Sequence, residues 1–135
     1  MHSFEEIRSS IQASYTLRIN DPYLLSFDIG IDGGTRQQGI YLAEIEGEDG
    51  RKFLRVSTPI GAMAGRDAKR CLRFNWEQRV GYLAESDLDG TPYLHLCENR
   101  PYELLNEKEL KRLIGEIGPL GDRLEKAMSA GGDAL

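Results

Sequence analysis

The sequence predicts an α+β domain, an antiparallel five-stranded sheet with flanking helices in the order α-β-β-β-α-β-β-α. Apolar and polar residues alternate through 23–32, the period of a strand with one buried face. Short Gly- and Asp-rich turns at 32–34, 48–50 and 87–90 join successive strand patterns, which forces antiparallel neighbours. Capped segments with helical periodicity begin at Ser3 and Asn106.

A chain of 135 residues suits one domain, expected to span 1–135 and to bury roughly 60 to 70 % of its unfolded surface. Seventeen Lys plus Arg against twenty-two Asp plus Glu leaves −5, and 40 % hydrophobic with 29 % charged residues excludes disorder and collagen-like repeats. The negative charge repels phosphates, so neither a general nucleic-acid binder nor an anionic-membrane binder is expected. Glu5 and Glu6 stand where a secretory signal wants positive charge, and no apolar run approaches the roughly 20 residues of a membrane span. Two cysteines, Cys71 and Cys97, do not make a disulfide scaffold; both are expected reduced, in a cytoplasmic protein.

The first helix starts at the capping pair Ser3 and Glu6, with Phe4, Ile7 and Ile11 on one face. Asn20, Asp21 and Pro22 break the chain before the first strand, Tyr23 to Asp32, whose apolar face is Tyr23, Leu25, Phe27, Ile29 and Ile31. After Gly33 and Gly34 comes a second strand, Gly39 to Ile45, with both faces partly apolar. A third, Lys52 to Thr58, alternates Leu54, Val56 and Thr58 against Phe53, Arg55 and Ser57, and Pro59 and Gly61 end it. Asp67 caps a central helix that turns Ala68, Cys71 and Leu72 inward and stops at Asn75. Val80 to Glu85 and Tyr93 to Glu98 make a hairpin tipped by Asp89-Gly90. The last helix combines the capping pair Asn106 and Glu109 with a hydrophobic staple of Leu105 and Leu110. Its apolar stripe runs from Leu110 to Met128; Gly118 and Pro119 predict a kink or two helices, and 129–135 a frayed tail.

No residue set reaches the threshold of a reaction centre. His95 and Cys97 share a strand face, but a metal needs three or four ligands and His2 is the only other imidazole. Neither cysteine has a base assigned to it by spacing. Asp87, Asp89 and Gly90 open like a calcium loop without its closing acid, and a hairpin turn explains them. Asp28, Asp32, Glu44 and Glu46 offer carboxylates on adjacent strands, as exposed strand faces commonly do. Glycine-rich nucleotide loops, a phosphate-binding lysine loop and a nucleophile elbow are missing from the sequence. No catalytic residue, metal or cofactor is therefore assigned, and the protein is not expected to be an enzyme. Arg66, Lys69, Arg70, Arg73 and Arg79, interleaved with Phe74 and Trp76, have the composition of a nucleic-acid stacking surface. In an acidic chain an intramolecular or dimer role is the better expectation.

The segment Leu72-Arg73-Phe74-Asn75-Trp76, followed by Arg79-Val80-Gly81-Tyr82, resembles the YbjN-like family, whose fold is similar to that of the type III secretion chaperones. In that resemblance Asn75 and Trp76 close the central helix, Gly81 opens the fourth strand and Asp89-Gly90 turns it into the fifth. The helix begun at Asn106 ends the domain. Gly118-Pro119 departs from the family's unbroken last helix, and the Gly/Ala-rich loop 59–67 implies a shorter central helix with a smaller dimer surface.

The resemblance implies a non-catalytic, chaperone-like protein-binding module. It would be a homodimer formed through the central helix and the neighbouring two strands, holding a partner segment on apolar surface. Leu72, Phe74, Trp76, Tyr82 and Tyr93 are the candidate partner or dimer surface. Each also has a core reading, and for Trp76 the core reading is the stronger. Two alternatives stand beside it: a regulatory domain acting through a folded partner, and a small-molecule binder or enzyme using the concave side of the sheet near Asp28, Glu44 or His95.

Overall fold

Helix α1 (Phe4–Gln12) begins where Ser3 Oγ accepts a hydrogen bond from the Glu6 N–H, and it buries Phe4, Ile7 and Ile11. The computed structural model describes residues 1–129. Six strands follow rather than five: β1 (Ile19–Asp21), β2 (Leu24–Ile31), β3 (Arg36–Glu46), β4 (Lys52–Ala62), β5 (Tyr82–Leu88) and β6 (Thr91–Pro101). Helix α2 (Ala68–Glu77) lies between β4 and β5; a short 3-10 turn at Tyr102–Leu104 leads into α3 (Glu107–Ser129). The sheet is antiparallel throughout, in the order β1-β2-β3-β4-β6-β5.

The sixth strand corrects the sequence reading and has a local cause. Pro22 and Tyr23 form the tip of a tight turn, so Ile19–Asp21 folds back on β2 with Ile19 opposite Ser26 and Asp21 opposite Leu24. The missing N–H of Pro22 falls in the turn, where no ladder bond is lost. Tyr23 consequently leaves the strand's apolar face and is exposed. A second correction concerns β4, which does not stop at Pro59. The register shifts between Pro59 and Gly61, a bulge that absorbs the proline and returns Ile60 to the core.

Helices α1 and α3 cover one face of the sheet, where Phe27, Ile40, Leu42, Val56 and Leu96 are fully buried with Ile7, Leu110 and Ile117. Helix α3 is a single helix with Pro119 in its interior, not two. Proline deprives the Gly115 carbonyl of its partner, but Gly115 is exposed and nothing crowds it, so water can take that bond. The opposite side of the same turn holds the helix to the sheet: an added Cβ would come within 2.2 Å of Ile29 at Gly118 and 2.4 Å of Thr58 at Gly121. Asp122, next in line, receives Arg36 Nε and Nη2 at 3.2 and 2.9 Å, and Arg36 also reaches Asp32 at 2.9 Å. Ser129 ends α3, and the rest of the expected frayed tail lies outside the described residues. No helix among the described residues is long and apolar enough to cross a membrane.

Candidate partner-binding surfaces

Helix α2 is short and one-sided. Asp67 caps it by accepting from the N–H groups of Lys69 and Arg70, Cys71 is buried, and Phe74 packs partly against the core. Burial pushes the Cys71 thiol upward, with Asp67 adding to the effect. The helix runs past the expected stop at Asn75 to Glu77 because Asn75 is engaged elsewhere. Its side-chain amide accepts from the Leu83 N–H at 2.6 Å and donates to the Leu83 carbonyl at 3.1 Å. Both groups point away from β6, so Asn75 acts as a one-residue stand-in for the next strand on the outer edge of β5. Gly81 makes the entry to β5 possible: its φ is +96°, and a Cβ there would sit 3.0 Å from Leu96. Its N–H donates to Glu98 at 2.9 Å.

With Cys71 and Phe74 turned inward, Leu72 and Trp76 are left on the outer side of α2, one turn apart, 69 % and 89 % exposed. Leu72 was expected inward, but the 100° step that buries Cys71 carries Leu72 out. Trp76 likewise takes no part in the core. Lys69, Arg70, Arg73 and Arg79 surround the pair and are exposed, while Arg66 is half-buried with its Nε lacking a hydrogen-bond partner.

Tyr82 and Tyr93 do not join this patch. Alternation places them on the other face of the sheet, which no helix among the described residues covers, so the candidates divide between Leu72 and Trp76 on α2 and Tyr82 and Tyr93 on the open face, with Phe74 turned inward. On that open face the register aligns Tyr82, Cys97, Ser57, Tyr41, Ser26 and Ile19 in one row across all six strands. The sheet curls strongly enough that Leu24 of β2 and Leu88 of β5 line one trough of about 530 Å³. Its floor is made of short side chains, Ala43, Ser57, Ala84 and Cys97, and Tyr82 is steadied by donating its hydroxyl to Asn99 at 3.2 Å.

His95 and Cys97 lie on this floor, and neither is poised for chemistry. His95 Nε2 is 3.1 Å from the Ser86 carbonyl, which only accepts, so that nitrogen carries the proton. Burial raises the Cys97 thiol to about 11, leaving it neutral at physiological pH. Asp28 is paired with Arg18 at 2.8 Å, and Glu44 accepts from Tyr102 at 2.9 Å. Of the three residues named for an alternative site on the concave side of the sheet, His95 lines the trough and Asp28 and Glu44 do not; the second strand's two partly apolar faces divide, Ile40 and Leu42 to the core and Tyr41 and Ala43 to the trough.

No protein-family model and no curated protein matches the chain. Among solved structures it is similar to a chain described under "Structure of the HopA1-SchA Chaperone-Effector Complex", with a TM-score of 0.58 and 16 % identity over 91 % of this chain and 89 % of that one. At that identity the likeness is one of fold, and it extends over nearly the whole of both chains.

Proposed function

We propose that this protein is a non-catalytic, chaperone-like binding module of the YbjN-like kind, which works in the cytoplasm as a homodimer and holds a segment of a partner protein on apolar surface. One observation carries the reading: Leu72 and Trp76 stand exposed side by side on a helix that turns Cys71 and Phe74 toward the core. A large aromatic exposed beside a leucine is the composition of an interface centre, since burying such side chains is worth about 1.5–3 kcal/mol each. The fold shared with a chain of a chaperone–effector complex supports a protein as the partner. Tyr82 and Tyr93 extend the candidate surface onto the open face, and Phe74 backs the helix from within.

Sedimentation velocity at high micromolar concentration tests the dimer. The wild type should sediment as a dimer and the double variant Leu72→Glu/Trp76→Glu as a monomer with an unchanged circular dichroism spectrum. A monomeric wild type removes the homodimer from the reading. Capture with the wild type as bait tests the partner class: an extended or disordered client supports chaperoning, whereas a folded regulator favours a regulatory domain.

A further inference from the structure

The open-face trough has a charge arrangement that the dimer reading does not use. Arg55, exposed on β4, lines it, and no carboxylate among the described residues pairs with it. Other cations of the sheet are matched: Arg18 with Asp28, Lys52 with Glu44, Arg100 with Glu98. Register puts Arg55 between Ala43 and Asn99 at one end of the trough, while Ser86, Asp87 and Leu88 close the other. The walls are apolar or aromatic, Leu24, Tyr41, Tyr82 and Leu88, and the short side chains of the floor leave room above them. A volume of about 530 Å³ with a lining more apolar than polar lies within the size range of small-molecule sites.

We infer that the trough binds a small amphipathic carboxylate, its acid group on the Arg55 guanidinium and its apolar body lying along Tyr41 and Tyr82 toward Leu88. A guanidinium offers a carboxylate two parallel N–H donors, which fixes both affinity and direction. Arg55 is the one Lys or Arg among the residues that line the trough, so it sets the direction by itself. Between the two ends lie the Cys97 thiol, which burial keeps protonated, and His95, whose Nε2 is held 3.1 Å from the Ser86 carbonyl.

Titration of the wild-type chain by amide NMR tests this, with decanoate and 3-phenylpropionate as an alkyl and an aryl probe and decanol as the uncharged control. At least one carboxylate should move the resonances of Ser57, Tyr82 and Cys97 as one cluster. Arg55→Gln, at an exposed position, should weaken that carboxylate by about tenfold without altering the binding of decanol, and Arg55→Lys should restore part of the loss. The inference is overturned if neither carboxylate moves the cluster, if Arg55→Gln binds like the wild type, or if decanol binds as tightly as decanoate. It fails equally if only a carboxymethylated unfolded protein moves those resonances, which would make the trough a peptide site.

Discussion

A methyl group added at Gly121 would stand 2.4 Å from Thr58 Cγ2, and Thr58 cannot turn aside. Its hydroxyl donates to the Gly39 carbonyl and accepts from Gln38 Nε2, both at 2.7 Å, in a fully buried position. At Gly118 the nearest atom is the flexible tip of Ile29, and at Gly115 nothing lies within 4 Å. Alanine should therefore destabilise by about 1–3 kcal/mol at Gly121, less at Gly118, and stabilise by up to about 1 kcal/mol at Gly115, where only helix propensity changes. Urea melts with constant slope would read all three. Asp122 supplies a pH dependence. The Arg36 hydrogen bonds hold its carboxyl below the ordinary 3.8, so its contribution is present above that value and disappears as pH falls through the lowered folded value. Asp122→Asn should accordingly melt lower than the wild type at neutral pH and converge with it in strong acid. Glu125, raised by burial and by Asp122, works in the opposite sense and blunts the wild-type acid limb.

At the level of single elements, the outer edge of β5 shows how the fold manages an unpaired strand. Asn75 occupies the edge at Leu83, and beyond it Glu85 and Asp87 place charge along the part left open. Asn75→Ala leaves the Leu83 N–H without its partner and should cost about 1–3 kcal/mol. Hydrogen exchange at Leu83 should accelerate more than at Leu94 or Leu96 of the neighbouring strand; equal acceleration throughout would mean that Asn75 stabilises the domain globally and not the edge. Helix α3 makes a related point about context. Proline in an isolated helix costs about 3 kcal/mol, yet here the loss falls on the wet side while Ile117, Gly118 and Gly121 pack against the sheet. Burial along one continuous stripe outweighs one lost backbone bond.

For the molecule as a whole, charge is distributed unevenly. A chain of net −5 carries Lys69, Arg70, Arg73 and Arg79 around the exposed Leu72 and Trp76. Bringing two such patches together costs like-charge repulsion, which salt screens over about 10 Å at 0.1 M. The proposed dimer should thus tighten as sodium chloride is raised, whereas an acidic partner on the same patch would be weakened. Sedimentation equilibrium across a salt series separates these cases, and a dimer that loosens with salt would place the self-association elsewhere. The two candidate surfaces are also physically separate, one on a helix and one on the sheet's open face, so the double variant Leu72→Glu/Trp76→Glu should leave carboxylate binding at Arg55 unchanged.

Local chemistry was legible in the residues themselves. Period-two alternation marked β2, the Ser3–Glu6 and Asn106–Glu109 pairs marked two helix starts, and Asp89-Gly90 takes positive φ angles of 50° and 83° at its hairpin tip. Those signals depend on neighbours within a few residues. The sixth strand, the bulged continuation of β4, the unbroken α3, the outward Trp76 and the trough depended on which faces met across the chain. A proline, a tryptophan or a half-apolar strand has two acceptable local environments, and only the packing of distant segments selects between them.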